Sequence, residues 1–392
     1  VFVHGFAGFG RDEGLGFKYW GGFIDLQEQL TNAGYRTVTP AVGPISSNWD
    51  RACELFASLK GGRVDYGAVH SAHYGHARFG RTYSGLLPEW GTTDPATGTA
   101  RKIHLIGHSM GGQTARLLTS LLANGSKEER EASGDSVSPL FAGGNHWVFS
   151  VMTLNTPHDG ISQVDNIDYE SQDYRKFFSD LIAFSAIGLV GIYDFKLDQW
   201  GLVPRKNESF QDFSARVLAD KKWYFTMDGS FFDLSPEGAS VLNQKAPSVP
   251  DVYYFSWGSD TTEPGLNKTR VPTFRTNMFL KAGALFMGSY EKHNIDYITI
   301  DRTWWPNDGV VNTRSQPGPT LGTTDRIVEW TPGISKKPDA GVWNLLGILP
   351  NTDHVDLIGI CSPSSYIPPG FPGLVDFYFW NARLLSSLTE TE

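Results

Sequence analysis

An α/β fold with a mostly parallel central sheet flanked by helices is predicted by three observations. Short apolar runs with β-branched members recur along the chain, each followed by a loop and a helical pattern. One such run, Lys102–Ile106, passes directly into a serine bracketed by glycines. No stretch approaches about 18 uninterrupted apolar residues, the length a membrane helix needs. The 392 residues are 40% hydrophobic and 13% aromatic, ample for a large core. A net charge of −9 without any basic run argues against a nucleic-acid partner.

Taken in order, Val1–His4 reads as a buried strand that ends in the small-residue loop His4-Gly5-Phe6-Ala7-Gly8-Phe9-Gly10. Trp20–Gly34 reads as a helix with Phe23, Leu26 and Leu30 on its inner face, and Tyr35–Val42 as the next strand. From 43 to 100 the alternation breaks, and this insertion carries Asp50, Cys53, Asp65 and three histidines, His70, His73 and His76. Three imidazoles so close suit a metal, with carboxylates from elsewhere completing a tetrahedral shell; the competing reading is ordinary surface histidines. Strands return at Trp147–Leu154, Val252–Trp257 and Arg326–Trp330. Between Asp173 and Gly201 a helical segment is apolar almost all round, either a buried helix or a lid over a site, with Gly188 and Gly191 as hinge. No repeat or long linker appears, so one domain with insertions fits better than two.

The chemistry centres on Gly107-His108-Ser109-Met110-Gly111, a G-x-S-x-G pattern. Thr114–Leu122 then spaces leucines for a helix, and Asn124-Gly125 stops it. A strand-to-helix turn this tight strains its serine and leaves no room for side chains on either flank, which is why glycines are needed. The serine stands at a helix N-terminus, where free N–H groups favour developing negative charge. The His4–Gly10 loop stands where an α/β hydrolase places its second oxyanion donor.

Serine needs a histidine to take its proton and a carboxylate to orient that histidine. In α/β hydrolases the order along the chain is Ser, then acid, then His. His146 and His158 follow Ser109 too soon for intervening strands to have supplied an acid. His354 lies in the polar loop Asn351–Asp356 after an apolar run, with His293 as rival. Asp308, in Asn307-Asp308-Gly309, is the acid best placed, with Asp301 and Asp260 as alternatives.

With these residues assembled, the chain resembles the thermoalkalophilic bacterial lipases of the Geobacillus and Staphylococcus type, lipase family I.5, of the α/β-hydrolase superfamily. The likeness runs through HGFAGFGRDEGLGFKYWGG, YRTVTPAVGPISSNWDRACE, GHARFGRTYSGLLPE, GGQTAR, TPHDG, YDFKLDQWGL, NDGVVNT and DHVDLIGI. It implies triacylglycerol and ester hydrolysis by Ser109, Asp308 and His354, with the backbone N–H groups of Phe6 and Met110 as the oxyanion hole. It implies a lid near residues 171 to 204, and a structural zinc on Asp50, His70, His76 and Asp233, with His73 outside the set. The family's calcium site falls on Gly288 and on Asp356, where the family has glutamate. Its further aspartate and proline align with Cys361 and Ser362, and a lost carboxylate weakens a site for a hard cation. The residue after the nucleophile is Met110, where the family usually has glutamine. The expected enzyme is secreted and extracellular, its signal segment absent from this chain. It would act as a monomer or weak dimer on lipid esters at an oil–water interface. A carboxylesterase on short soluble esters is the alternative, and a non-catalytic hydrolase-fold binding protein would have lost triad members. Asn124, Asn207 and Asn267 stand in N-x-S/T sequons.

Overall fold

The computed structural model describes residues 1–14, 16–165, 194–224, 226–293, 298–331, 333, 337–360 and 368–390. Its strands are β1 (Phe2–Val3), β2 (Gly62–Asp65), β3 (Phe79–Tyr83), β4 (Ile103–His108), β5 (Val148–Leu154), β6 (Tyr253–Asp260), β7 (Thr262–Pro264), β8 (Arg270–Pro272), β9 (Ile327–Glu329) and β10 (Trp343–Pro350). Six of them form the central sheet in the order β1-β4-β5-β6-β10-β9, and every pairing is parallel. The pairs β2–β3 and β7–β8 are separate antiparallel ribbons.

Both faces of the sheet are covered, as a parallel sheet requires. Alternate residues sort to opposite sides: Leu105, Val151, Tyr254 and Trp343 join one buried cluster, and Ile106, Met152 and Phe255 the other. On the first side lie helices α2 (Asn48–Lys60) and α4 (Met110–Asn124), through Leu55, Leu59 and Leu118. On the second lie α1 (Leu26–Asn32) and the helix Leu374–Ser386, through Leu26, Phe377 and Tyr378. Parallel strands all end at one rim, and the loops at that rim carry the residues of interest.

Three local expectations fail. Residues 35–42 form no strand; Pro40 has no N–H to offer a ladder, and the segment's tie to β1 is the bond from Phe2 N–H to the Val38 carbonyl at 2.9 Å. The first helix starts at Leu26, not Trp20, because the Asp25 side chain caps it by accepting from Glu28 N–H. Phe23 therefore lies outside the helix and is 92% exposed. The insertion also has more regular structure than its broken pattern suggests. α2 is capped by Ser47, and α3 (Ala68–Tyr74) falls in the connection that joins the two strands of the β2–β3 ribbon. Residues 171–193, most of the lid expected near 171 to 204, fall outside the described residues, as does Cys361. Cys53 is buried in α2 as a free thiol.

Candidate functional site

Ser109 closes β4 and opens α4 with φ at +55°, a region that L residues other than Asn and Asp seldom enter. The surrounding glycines make the turn possible. A Cβ on Gly111 would stand 2.0 Å from the Val3 carbonyl oxygen, and one on Gly107 would stand 2.4 Å from Gly112 N. Ser109 N–H donates to Leu154 O at 2.9 Å, fastening the turn to β5. The nucleophile candidate is buried and lines a narrow cavity of ≈ 90 Å³ with Phe6, Phe231, Leu234, Leu280 and Val311. A wider groove of ≈ 560 Å³ opens by Val1 and Ile103, at the opposite ends of β1 and β4, away from Ser109.

His354 follows β10 and Asp308 lies beyond the end of β6, where Thr261 N–H donates to the Asn307 carbonyl at 2.9 Å. His354 Nδ1 and Asp308 Oδ2 are 2.8 Å apart, both buried. Asp308 Oδ1 accepts from the backbone N–H groups of Val310 and Val311 at 2.9 and 2.7 Å. Gln316 Nε2 also donates to Asp308 Oδ2, at 3.1 Å. The rivals go elsewhere: His293 is 69% exposed beside Glu291, Asp260 pairs with Arg270, and Asp301 is half-buried and caps the short turn Arg302–Trp304.

The His4–Gly10 loop comes up against the serine, for a Cβ on Gly5 would stand 2.7 Å from Ser109 Cβ. Arg51, buried on α2, donates to the carbonyls of His4 and of Gly43, the latter at 2.7 Å. Phe6 lies in this loop and Met110 is the first residue of α4, so both candidate oxyanion donors border the serine.

A second cluster lies in the insertion. Asp50 in the first turn of α2, His70 on α3, His76 just beyond it and Asp228 each present one ligand atom, all within 4.8 Å of one another. Asp50 Oδ1, His70 Nε2, His76 Nε2 and Asp228 Oδ2 are buried without hydrogen bonds, although His70 Nε2 stands 3.3 Å from Asp50 and 3.2 Å from Asp228. Buried polar atoms aimed at one point fit a metal ion. Supporting contacts orient them: His76 Nδ1 donates to the Ala77 carbonyl, Gln199 donates to Asp50 Oδ2 at 2.7 Å, and Trp49 stacks on His70. Glu129 of α5 (Lys127–Ser133) accepts the N–H groups of Val69 and His70, holding the start of α3. Burial would lower His70, but its close contacts with the Asp228 and Asp50 carboxylates outweigh it and push the group up to about 9. A metal would displace that proton.

The fourth member of the candidate metal group is thus Asp228, and Asp233, expected from the sequence, lies outside it. Asp233 lies inside the short helix Ser230–Leu234, which turns its carboxylate onto the N–H of Asn48 at the start of α2. Burial pushes that carboxyl up to about 7. Asp228 precedes the same helix and faces the histidines; the turn pair Asp228-Gly229 was the only signal for it in the sequence. His73 is exposed and outside the group. At the calcium positions, the Gly288 carbonyl accepts from Arg270 N–H at 2.8 Å and the Asp356 carboxylate from Asp353 N–H at 2.8 Å. Positions 361 and 362 lie outside the described residues. Sequence reasoning also missed Tyr19, Arg51 and Gln199, whose contacts depend on the folded topology.

A parallel α/β sheet with a strained serine at a strand-to-helix turn, a buried His–Asp couple at the same rim and a separate candidate metal cluster defines a class, and relatives exist for it. The family model described as "Lipase-like, C-terminal domain" matches residues 1–378, and the chain belongs to that family. Lipase 2 of Staphylococcus aureus is 37% identical over 92% of this chain, and the chain spans about half (50%) of that relative's length. Among solved structures, EstA from Clostridium botulinum is 43% identical with a TM-score of 0.90, covering 100% of this chain and 88% of its own. Lipase 1 from Pelosinus fermentans is 44% identical with a TM-score of 0.85, covering 99% and 98%. The Staphylococcus hyicus lipase is 32% identical with a TM-score of 0.79, covering 99% and 96%. Among the described residues, no helix is long and apolar enough to cross a membrane.

Proposed function

We propose that this chain is an α/β-hydrolase lipase, one domain over residues 1–392, that cleaves the ester bonds of triacylglycerols. Ser109 Oγ attacks the ester carbonyl while His354 Nε2 takes its proton. Asp308 holds the imidazole in the tautomer that can accept and stabilises the imidazolium. The tetrahedral oxyanion is met by the backbone N–H groups of Phe6 and Met110, His354 returns the proton to the leaving alcohol, and water then cleaves the acyl-enzyme. The observation that carries this reading is Ser109 at φ +55°, at the head of α4, facing an apolar cavity beside the His354–Asp308 couple.

The metal in this reading is zinc, held by Asp50, His70, His76 and Asp228, because two imidazoles and two carboxylates suit four-coordinate zinc. When bound it ties α2 and α3 to the segment before Ser230 and supplies no nucleophile. Calcium at Gly288 and Asp356 is not part of the mechanism. Residues near 171–204 act as the lid, and the enzyme works outside the cell at an oil–water interface, as a monomer or weak dimer. The narrowness of the cavity, ≈ 90 Å³, favours a second reading, a carboxylesterase on short soluble esters. Rates on graded p-nitrophenyl esters and on emulsified triacylglycerol decide. A lipase accelerates once substrate is emulsified, whereas activity confined to the shortest soluble esters makes it an esterase.

A further inference from the structure

His108, the residue before Ser109, is buried, and both its ring nitrogens are engaged. Nε2 lies 2.8 Å from the backbone carbonyl oxygen of His354, and Nδ1 lies 2.7 Å from the Tyr19 hydroxyl. That hydroxyl in turn accepts the backbone N–H of Gly5 at 2.9 Å. Every hydrogen in this chain can be assigned. A carbonyl only accepts, so Nε2 carries the hydrogen. Burial holds the His108 pKa well below the ordinary value, so the ring is neutral and its Nδ1 has a lone pair. Tyr19 O–H therefore donates to Nδ1, which leaves its oxygen to accept from Gly5.

The two ends of the chain are not arbitrary. Gly5 lies in the loop that carries Phe6, and a Cβ there would press on Ser109 Cβ. His354 is the base of the proposed triad. We propose that Tyr19 and His108 are positioning residues that fix the oxyanion loop and the backbone of His354 relative to each other, on either side of the nucleophile. This rests on the triad reading above. His354 has other ties, its N–H to the Asp308 carbonyl at 2.9 Å and its carbonyl to Asn155 Nδ2 at 3.4 Å. The His108 bond is the shorter of the two at that carbonyl, and it alone connects to the loop. A misplacement of about 1 Å in such a constellation costs up to about 100-fold in rate.

The competing role is packing, since the His108 ring also lies against Tyr19, Trp20 and His354. Two substitutions separate the roles. In His108→Gln the side-chain amide reaches the Nε2 position and still donates to His354 O. In His108→Asn the shorter amide accepts from Tyr19 and cannot reach His354. Tyr19→Phe keeps the ring and removes the link to Gly5. Each variant is assayed in the full chain for kcat and KM on a soluble p-nitrophenyl ester, for melting temperature, and for the rate and stoichiometry of Ser109 phosphonylation. The expected result is a kcat loss on the order of 10-fold or more in Tyr19→Phe and His108→Asn with KM little changed, and a clearly smaller loss in His108→Gln. Phosphonylation should slow in the same order while reaching full stoichiometry. Wild-type kcat in Tyr19→Phe, or His108→Asn as active as His108→Gln, overturns the proposal alone. A wild-type protein that never labels at Ser109 overturns the triad reading and the proposal with it.

Discussion

Asp308 grips His354 twice: its Oδ2 lies 2.8 Å from His354 Nδ1, and its carbonyl accepts His354 N–H at 2.9 Å. The second bond survives any side-chain change, so Asp308→Asn tests the charge without dislodging the loop. The outcome follows from the other oxygen. Oδ1 is held by two backbone N–H groups, so the asparagine oxygen must stay there and its NH₂ must face His354. Nδ1 then becomes an acceptor, Nε2 carries the hydrogen, and the ring cannot take the serine proton. Turnover should fall by about 10⁴, as for the equivalent change in serine proteases, with circular dichroism unchanged. Should Asp301→Asn or Asp260→Asn be the damaging change, the acid lies elsewhere.

Gly111→Ala should cost the fold. Its new Cβ would meet the carbonyl oxygens of Val3 at 2.0 Å and His4 at 2.6 Å, and these backbone atoms have no rotamer to yield. Overpacking in well-packed sites costs about 1–3 kcal/mol, and backbone clashes stand at the upper end. Soluble yield and urea midpoint should both drop, whereas Gly34→Ala, in open space but at φ +90°, should show a smaller strain penalty. Equal midpoints for Gly111→Ala and the wild type would mean that the turn is looser than its geometry.

These two sites were legible in the sequence because their constraints are local. The turn at Ser109 needs glycines within four positions, and the triad order along the chain leaves few acids and histidines to choose from. The metal set was half legible. His70 and His76 lie six residues apart, on and just beyond one short helix, but the fourth carboxylate depends on which way another short helix faces, with Asp228 just before it and Asp233 within it. Tyr19, His108 and His354 are joined across separations of 89 and 246 residues, contacts created by the sheet order and invisible to any periodicity. The failure at residues 35–42 is a matter of partners: the segment is apolar enough for a strand, but next to it β1 has only two residues.

Stability should fall steeply on mild acidification. His4, His108 and His158 are buried and His104 is half-buried, and desolvation holds each pKa below the ordinary value, His104 at about 4. In the unfolded chain these groups protonate near pH 6.5. Above that pH both states are neutral and the histidines leave stability unchanged with pH. Between about 6.5 and the lowered folded values the unfolded state binds more protons, so stability is lost as pH falls, at up to about 1.4 kcal/mol per pH unit for each histidine. Urea midpoints from pH 8 to 5 should decline below about 6.5, and the slope should shrink in His104→Gln, which stays neutral. An unchanged slope in His104→Gln would show that this ring is not held neutral.

Metal loss should separate two aspartates that lie five positions apart. Asp228→Ala removes a ligand atom from the cluster and leaves Asp50, His70 and His76, too few to hold a four-coordinate ion tightly. Elemental analysis should then find far less than the roughly one zinc per chain of the wild type. Asp233→Ala leaves the cluster intact and instead strands the buried Asn48 N–H, at a cost of about 1–3 kcal/mol. Both variants should melt earlier, so melting temperature alone does not distinguish them; the chelator response does. Removing metal from the wild type frees two buried carboxylates and two imidazoles that only protons can then satisfy, so a strong chelator should lower its melting temperature sharply. Asp233→Ala should respond by a similar amount from its lower start, and Asp228→Ala hardly at all. Initial rates on a soluble ester at moderate temperature should change little in either variant, because neither residue reaches the cavity of Ser109. Zinc kept in Asp228→Ala but lost in Asp233→Ala would restore the ligand set expected from the sequence and mean that the helix Ser230–Leu234 is turned the other way.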